Sequence, residues 1–177
     1  MSVTRPADPG LAAVNAQPGA AAERALLDCC ASPAWAGRLA AGRPYQDRGA
    51  LTAAADAALA GLPWPEVERA LAAHPRIGER PAGGARDAGW SRREQSGVDA
   101  ADPVTREALA AGNEEYERRF GHVYLVCAAG RSGDELLALL RARLGNDPDA
   151  ERAVVREELR RIMRLRLDRL LAETASA

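Results

Sequence analysis

The chain has 177 residues, of which 24 are basic and 25 acidic, for a formal charge of −1 and a pI near 6.2; at about 100–200 residues per domain this predicts one domain with a single core. Without bulk basicity, neither nucleic acid nor an anionic membrane is an expected partner, and no run reaches the roughly 18 apolar residues of a membrane span. All the basic residues are Arg, and the absence of Lys excludes Schiff-base and pyridoxal-phosphate chemistry and a P-loop.

The first ten residues, Met1 to Gly10, are polar and Pro-rich with no apolar stretch behind a basic start, which predicts a cytoplasmic chain without a signal peptide. They and the last five residues, 173–177, read as frayed tails around a helical domain at 11–172. Abundant Ala, Leu, Arg and Glu, with few β-branched or aromatic residues, favour helix over strand. Helices are predicted at 19–30, 33–41, 48–62, 65–74, 91–98, 103–119, 132–144 and 148–172. Ser32-Pro33, Pro65-Glu66 and Asp102-Pro103 mark helix starts. Ser132 with Glu135 matches a capping box, and Gly61 and Gly145 fit C-terminal stops.

Two stretches break the pattern. Residues 75–90, with two Pro and four Gly, read as a long irregular loop. Residues 120–130 are apolar and read as extended. The predicted fold class is all-α, a compact multi-helix bundle of about eight helices with one long Gly/Pro-rich loop.

Chemistry-bearing side chains are few. Cys29, Cys30 and Cys127 form neither a redox pair nor a zinc quartet, and with only His74 and His122 a multi-histidine metal site is not expected. His74 shares a face with Val67 and Leu71 at a helix C-terminus, where the carbonyl end favours imidazolium; it reads either as a proton donor or as a capping residue. Ser91, Glu94 and Gln95 fall at i, i+3 and i+4, which presents hydroxyl, carboxylate and amide together, or else makes Ser91 and Glu94 a capping box with Trp90 as its staple. Arg166 projects into the apolar arc of the last helix, formed by Val155, Leu159, Ile162, Met163, Leu165, Leu167 and Leu170. A guanidinium there needs a partner, either an interior carboxylate or an anionic ligand. Asn113, on the Leu109–Tyr116–Phe120 stripe, reads as a buried amide tying two helices. The amides of 120–129 could serve a ligand if no strand pairs with them.

In order along the chain, His74-Pro75-Arg76-Ile77-Gly78-Glu79-Arg80, Ser91-Arg92-Arg93-Glu94-Gln95, Asn113-x-x-Tyr116-x-x-Arg119-Phe120-Gly121 running into VYLVCA, and Leu165-Arg166-Leu167 resemble the OHCU decarboxylase family. The resemblance runs from about Leu11 to Leu171. It implies an all-helical fold, a homodimer, and cofactor-independent decarboxylation of 2-oxo-4-hydroxy-4-carboxy-5-ureidoimidazoline (OHCU) to (S)-allantoin in uric acid degradation. It assigns catalysis to His74 and Glu94, and substrate binding to Ser91, Gln95, Arg166 and the backbone at Tyr124, Leu125, Val126, Cys127 and Ala128. No metal or cofactor is implied. His122-Val123 stand where relatives carry an aromatic residue and a proline, making His122 a candidate extra contact. Two other classes compete: a helical interaction module whose Arg160, Arg161 and Arg164 bind an acidic partner, and a ureide or hydantoin hydrolase that would need a metal.

Overall fold

The computed structural model describes residues 8–79 and 86–176. Ten helices and no strand occur among the described residues, in two compact units. The chain up to Pro63 and from Met163 onward forms the first; Trp64–Ile162 forms the second.

The first unit holds α1 (Pro9–Ala16), α2 (Gly19–Cys29), α3 (Pro33–Ala41) and α4 (Arg48–Ala60), with the end of α10 (Pro148–Ala175). The helix α1 starts inside the stretch expected to fray. Asp8 caps it, its carboxylate accepting from Leu11 N–H at 3.1 Å, with Pro9 in the first turn. At the other end, α10 continues through Ala175 into the predicted C-terminal tail. Ser32 caps α3 as predicted, and the indole of the fully buried Trp35 donates to Ala55 O at 3.0 Å.

The second unit holds α5 (Trp64–Ala72), α6 (Arg86–Glu94), α7 (Ser96–Asp99), α8 (Pro103–Phe120), α9 (Gly133–Arg143) and α10 as far as Ile162. Its core gathers Leu109 and Tyr116 of α8, Leu136, Leu137 and Leu140 of α9, Ile77, Val98, and Tyr124, Val126 and Ala128 of the segment between α8 and α9. Asp102 caps α8, and the Ser132–Glu135 capping box of α9 is present with both of its hydrogen bonds.

Several predicted boundaries move, most of them by one or two residues. The helix expected at 65–74 ends at Ala72, which leaves His74 just past it with its N–H on Leu71 O at 2.9 Å. Pro75 disfavours helical backbone at the residue before it. The predicted helix at 91–98 is instead the pair α6 and α7, and α6 begins at Arg86, within the predicted loop. Residues 80–85 of that loop lie outside the described residues, as do residues 1–7 of the predicted tail. The segment 122–128 is neither helix nor strand, after Gly121 ends α8 at φ 78°.

Behind that segment lies an ion pair the sequence did not announce. Arg143 donates through Nε and Nη2 to Glu151 Oε1 at 2.8 and 2.5 Å, and through Nη1 to Leu125 O at 2.7 Å. The Tyr116 hydroxyl also donates to Glu151, and Asn146 Nδ2 donates to its other oxygen at 2.8 Å. Burial holds the Tyr124 phenol neutral up to about 12, against an ordinary 10.0. Burial, followed by the bond to Glu151, moves Tyr116 the same way. A raised folded-state pKa contributes stability that is whole below the unfolded value and is lost as pH rises through the folded one. The denaturant midpoint is therefore expected to fall between pH 10 and about 12; a flat profile there would contradict this account of the two phenols.

Candidate active site

The turn after α5 starts the site. His74 and Pro75 lead into 76–79, which several side chains fix. Arg76 grips Glu117 with Nε and Nη2, both at 2.7 Å, and reaches Glu79 at 3.3 Å. The guanidinium beside it holds the Glu117 carboxyl below the usual carboxylate range. Asn113 Nδ2 donates to Ile77 O at 2.9 Å; this amide ties α8 to the turn rather than to a second helix. Gly78 sits at φ 94°, which favours glycine.

The second contribution comes from α6, one face of which is buried through Ala88, Trp90, Ser91 and Glu94. Because the helix begins at Arg86, Ser91 lies in its interior. The capping-box alternative for Ser91 and Glu94 is thereby set aside, and Trp90 is a core residue with no exposure rather than a staple. Gln95 follows directly. Its Oε1 accepts from Gly78 N–H at 2.8 Å and its Nε2 donates to Arg76 O at 3.3 Å, so this carboxamide holds the turn that carries His74.

The third is the segment between α8 and α9. Arg143 takes Leu125 O, Glu158 Oε2 accepts the Cys127 N–H at 2.8 Å, Arg131 Nε donates to Cys127 O at 3.2 Å, and the Tyr124 hydroxyl donates to Leu136 O at 3.2 Å.

These three pieces line one pocket: His74, Pro75, Ile77, Ser91, Glu94, Gln95, Tyr124, Leu125, Val126, Ala128 and Ile162. Measured to the centre of a water-sized sphere its volume is about 20 Å³, room for one or two waters. Ser91 and Glu94 are 5% and 6% exposed. Such groups are buried at a cost unless they are hydrogen-bonded, and they meet here beside an imidazole. Pro75, Ile77 and Ile162 were not singled out in advance as site residues; the first two lie within the His-Pro-Arg-Ile motif that was.

Of the other sequence candidates, Cys127 is not among the lining residues. Arg166 belongs to the first unit, where it is 5% exposed and its Nη1 donates to Asp28 O at 3.3 Å. His122 packs among aromatic rings, 5.4 Å from Trp64 and 5.5 Å from Tyr116. It lines a neighbouring cleft of about 340 Å³ with Glu68, Arg76, Glu79 and Glu117, and His74 borders that cleft too. Among the described residues no group of three or more His, Cys, Asp or Glu is placed to hold a metal ion, and no helix is long and apolar enough to cross a membrane.

An all-helical fold that brings an imidazole, a carboxylate, a hydroxyl and a carboxamide onto one small pocket has the parts of an acid–base enzyme for a small molecule. Residues 15–168 match the family model for OHCU decarboxylase, and the chain belongs to that family. It is 31% identical over 144 residues to 2-oxo-4-hydroxy-4-carboxy-5-ureidoimidazoline decarboxylase of Amia calva, covering 78% of this chain and 81% of that one. It is 28% identical over 151 residues to the uric acid degradation bifunctional protein TTL of Arabidopsis thaliana, covering 83% of this chain but 46%, about half, of that longer protein. A crystal structure of OHCU decarboxylase in the presence of (S)-allantoin superposes with a TM-score of 0.71 at 28% identity, covering 82% of this chain and 96% of that one. The structure of (S)-allantoin synthase shares the fold, with a TM-score of 0.68 at 18% identity over 92% of this chain and 52% of that one.

Proposed function

We propose that the chain removes carbon dioxide from OHCU to give (S)-allantoin, with His74 and Glu94 as its catalytic pair. The observation that carries the reading is the pocket: His74, Ser91, Glu94, Gln95, Tyr124, Leu125, Val126 and Ala128, up to 54 residues apart in sequence, line one cavity. The chemistry asks little beyond those groups. The substrate's carboxylate sits on a carbon next to an imine-like ring bond. When the carbon–carboxylate bond breaks, its electron pair moves into that bond, so the substrate supplies its own electron sink.

His74 takes the proton of the 4-hydroxyl as carbon dioxide leaves, and Glu94 keeps the imidazole in the tautomer that can accept it, general acid–base work worth about 10²–10⁴-fold. Ser91 and the 124–128 main chain hold the polar edges of the ring and ureido group, and Gln95 adds to that grip while fixing the His74 turn. A proton delivered to one face of the adjacent ring carbon sets the handedness of the product. Arg166 holds the anionic end of the substrate, an assignment that rests on the resemblance; a raised KM in Arg166→Lys would support it. Cytoplasmic placement and a homodimer belong to the same proposal.

The interaction-module reading loses its main support, because the arginines it relied on already face the chain's own carboxylates. Arg160 binds Glu157 at 2.7 and 2.8 Å and holds that carboxyl down to about 2; Arg161 reaches Glu157 and Glu158 at 3.0 and 3.2 Å, and Arg164 is paired with Asp56. The test is stereochemical: freshly generated OHCU is added and optical rotation is followed. Rapid formation of one allantoin enantiomer, unchanged by EDTA, is expected. Racemic allantoin at the uncatalysed rate would contradict the decarboxylase, and loss of activity in EDTA would point to the metal-dependent hydrolase.

A further inference from the structure

The wall of the pocket at 124–128 offers a ligand little side-chain chemistry. The Tyr124 hydroxyl is turned to Leu136 O, and Leu125, Val126 and Ala128 are apolar. Polar recognition on this side falls to main-chain groups, which are only as well placed as whatever holds the main chain. Three ties hold it from behind. Arg143 donates to Leu125 O at 2.7 Å, Glu158 accepts the Cys127 N–H at 2.8 Å, and Arg131 donates to Cys127 O at 3.2 Å. Arg143 and Glu158 are themselves buried, at 6% and 8% exposure.

The ties fall on residues 125 and 127, the two-residue period of drawn-out backbone, in which neighbouring residues direct their peptide groups to opposite sides. Tyr124 and Leu125 both border the pocket, and beyond them the lining alternates: Val126 and Ala128 border it and Cys127 does not. A slip by one residue would turn the other set of peptide groups toward the ligand. Both anchors are themselves fixed, Arg143 by Glu151 and Glu158 by Arg161 Nη1 at 3.2 Å.

We infer that Glu158 and Arg143 are positioning residues that set the register of this wall, so that the main chain at Val126 and Ala128 meets the ligand and selects a group with alternating donors and acceptors, as a ureide has. This inference deepens the proposed function and rests on it. Neither residue touches the reacting atoms; each acts through the backbone it holds.

The test compares Glu158→Leu with Glu158→Gln, the second of which keeps an oxygen that can accept the Cys127 N–H. For Glu158→Leu, KM for OHCU is expected to rise on the order of tenfold with a smaller change in kcat, the enantiomeric purity of the allantoin to fall, and amide hydrogen exchange to quicken across 126–128. Glu158→Gln is expected to restore all three. If Glu158→Leu does not fold, Glu158→Ala, which also lacks the acceptor, takes its place. Unchanged KM and product purity in a folded variant lacking the acceptor would overturn the inference, as would failure of Glu158→Gln to rescue. If the native protein itself gives no single enantiomer, the decarboxylase reading fails first. The exchange measurement then decides the register alone: faster exchange across 126–128 supports it, and a change confined to Cys127 contradicts it.

Discussion

His74→Asn is expected to lower kcat for allantoin formation by about 10²–10⁴-fold, the usual worth of a positioned acid–base group, with KM little changed. Asn keeps a polar side chain in the same place but cannot take a proton near neutral pH. The half-buried position of His74 just past α5 and its backbone bond to Leu71 O do not depend on the imidazole, so the variant should keep its thermal midpoint. Because the loss would fall on kcat and kcat/KM alike, it would mark an interaction used in the transition state rather than in ground-state binding. Near-normal turnover by a folded His74→Asn protein would remove His74 from the mechanism.

Arg143→Met is expected to give the largest loss of stability, about 3–5 kcal/mol. Glu151 has no exposure, and removing its guanidinium partner leaves a carboxylate in the interior with only Tyr116 and Asn146 as named donors. Breaking one side of a buried pair costs that much, whereas replacing both sides with apolar groups is often neutral. The double variant Arg143→Met/Glu151→Leu should therefore recover most of the loss, a coupling read from denaturant midpoints in a double-mutant cycle. Independent, additive losses at the two positions would show that the pair is not a unit. Recovery of stability without recovery of KM in the double variant would separate the folding role of Arg143 from its hold on Leu125 O.

The sequence was most informative where local chemistry decides the backbone. The helix caps at Ser32, Asp102 and Ser132 each satisfy N–H groups within three residues, so their patterns sufficed. The same logic was available at Asp8-Pro9, whose pattern matches Asp102-Pro103, yet a polar, Pro-rich start obscured it. At 86–90 the glycine-rich surroundings suggested a loop. Burial of Ala88 and Trp90 outweighs the roughly 1 kcal/mol that Gly89 costs a helix. The i, i+3, i+4 spacing of Ser91, Glu94 and Gln95 placed the three side chains together, and all three line one pocket, although two readings of that spacing were open until the start of α6 was known.

What could not be read was long-range. Arg143 and Glu151 lie eight residues apart across the turn from α9 to α10, and no helical or strand period links them. Gln95 holds the turn at Arg76 and Gly78 from 17 to 19 residues away. That the pair Asn113–Ile77 joins a helix to a turn, and not to another helix, depends on where α5 stops, which Pro75 decides through the residue before it.

A crystal structure of this protein with (S)-allantoin bound bears most directly on the central claim. The account predicts the product in the pocket lined by His74, Ser91, Glu94, Tyr124, Leu125, Val126 and Ala128, with its ring edge against the main chain at Val126 and the imidazole within hydrogen-bond reach of its ring oxygen. Allantoin seated instead in the cleft beside Glu68, Arg76, Glu117 and His122, away from Glu94, would contradict it.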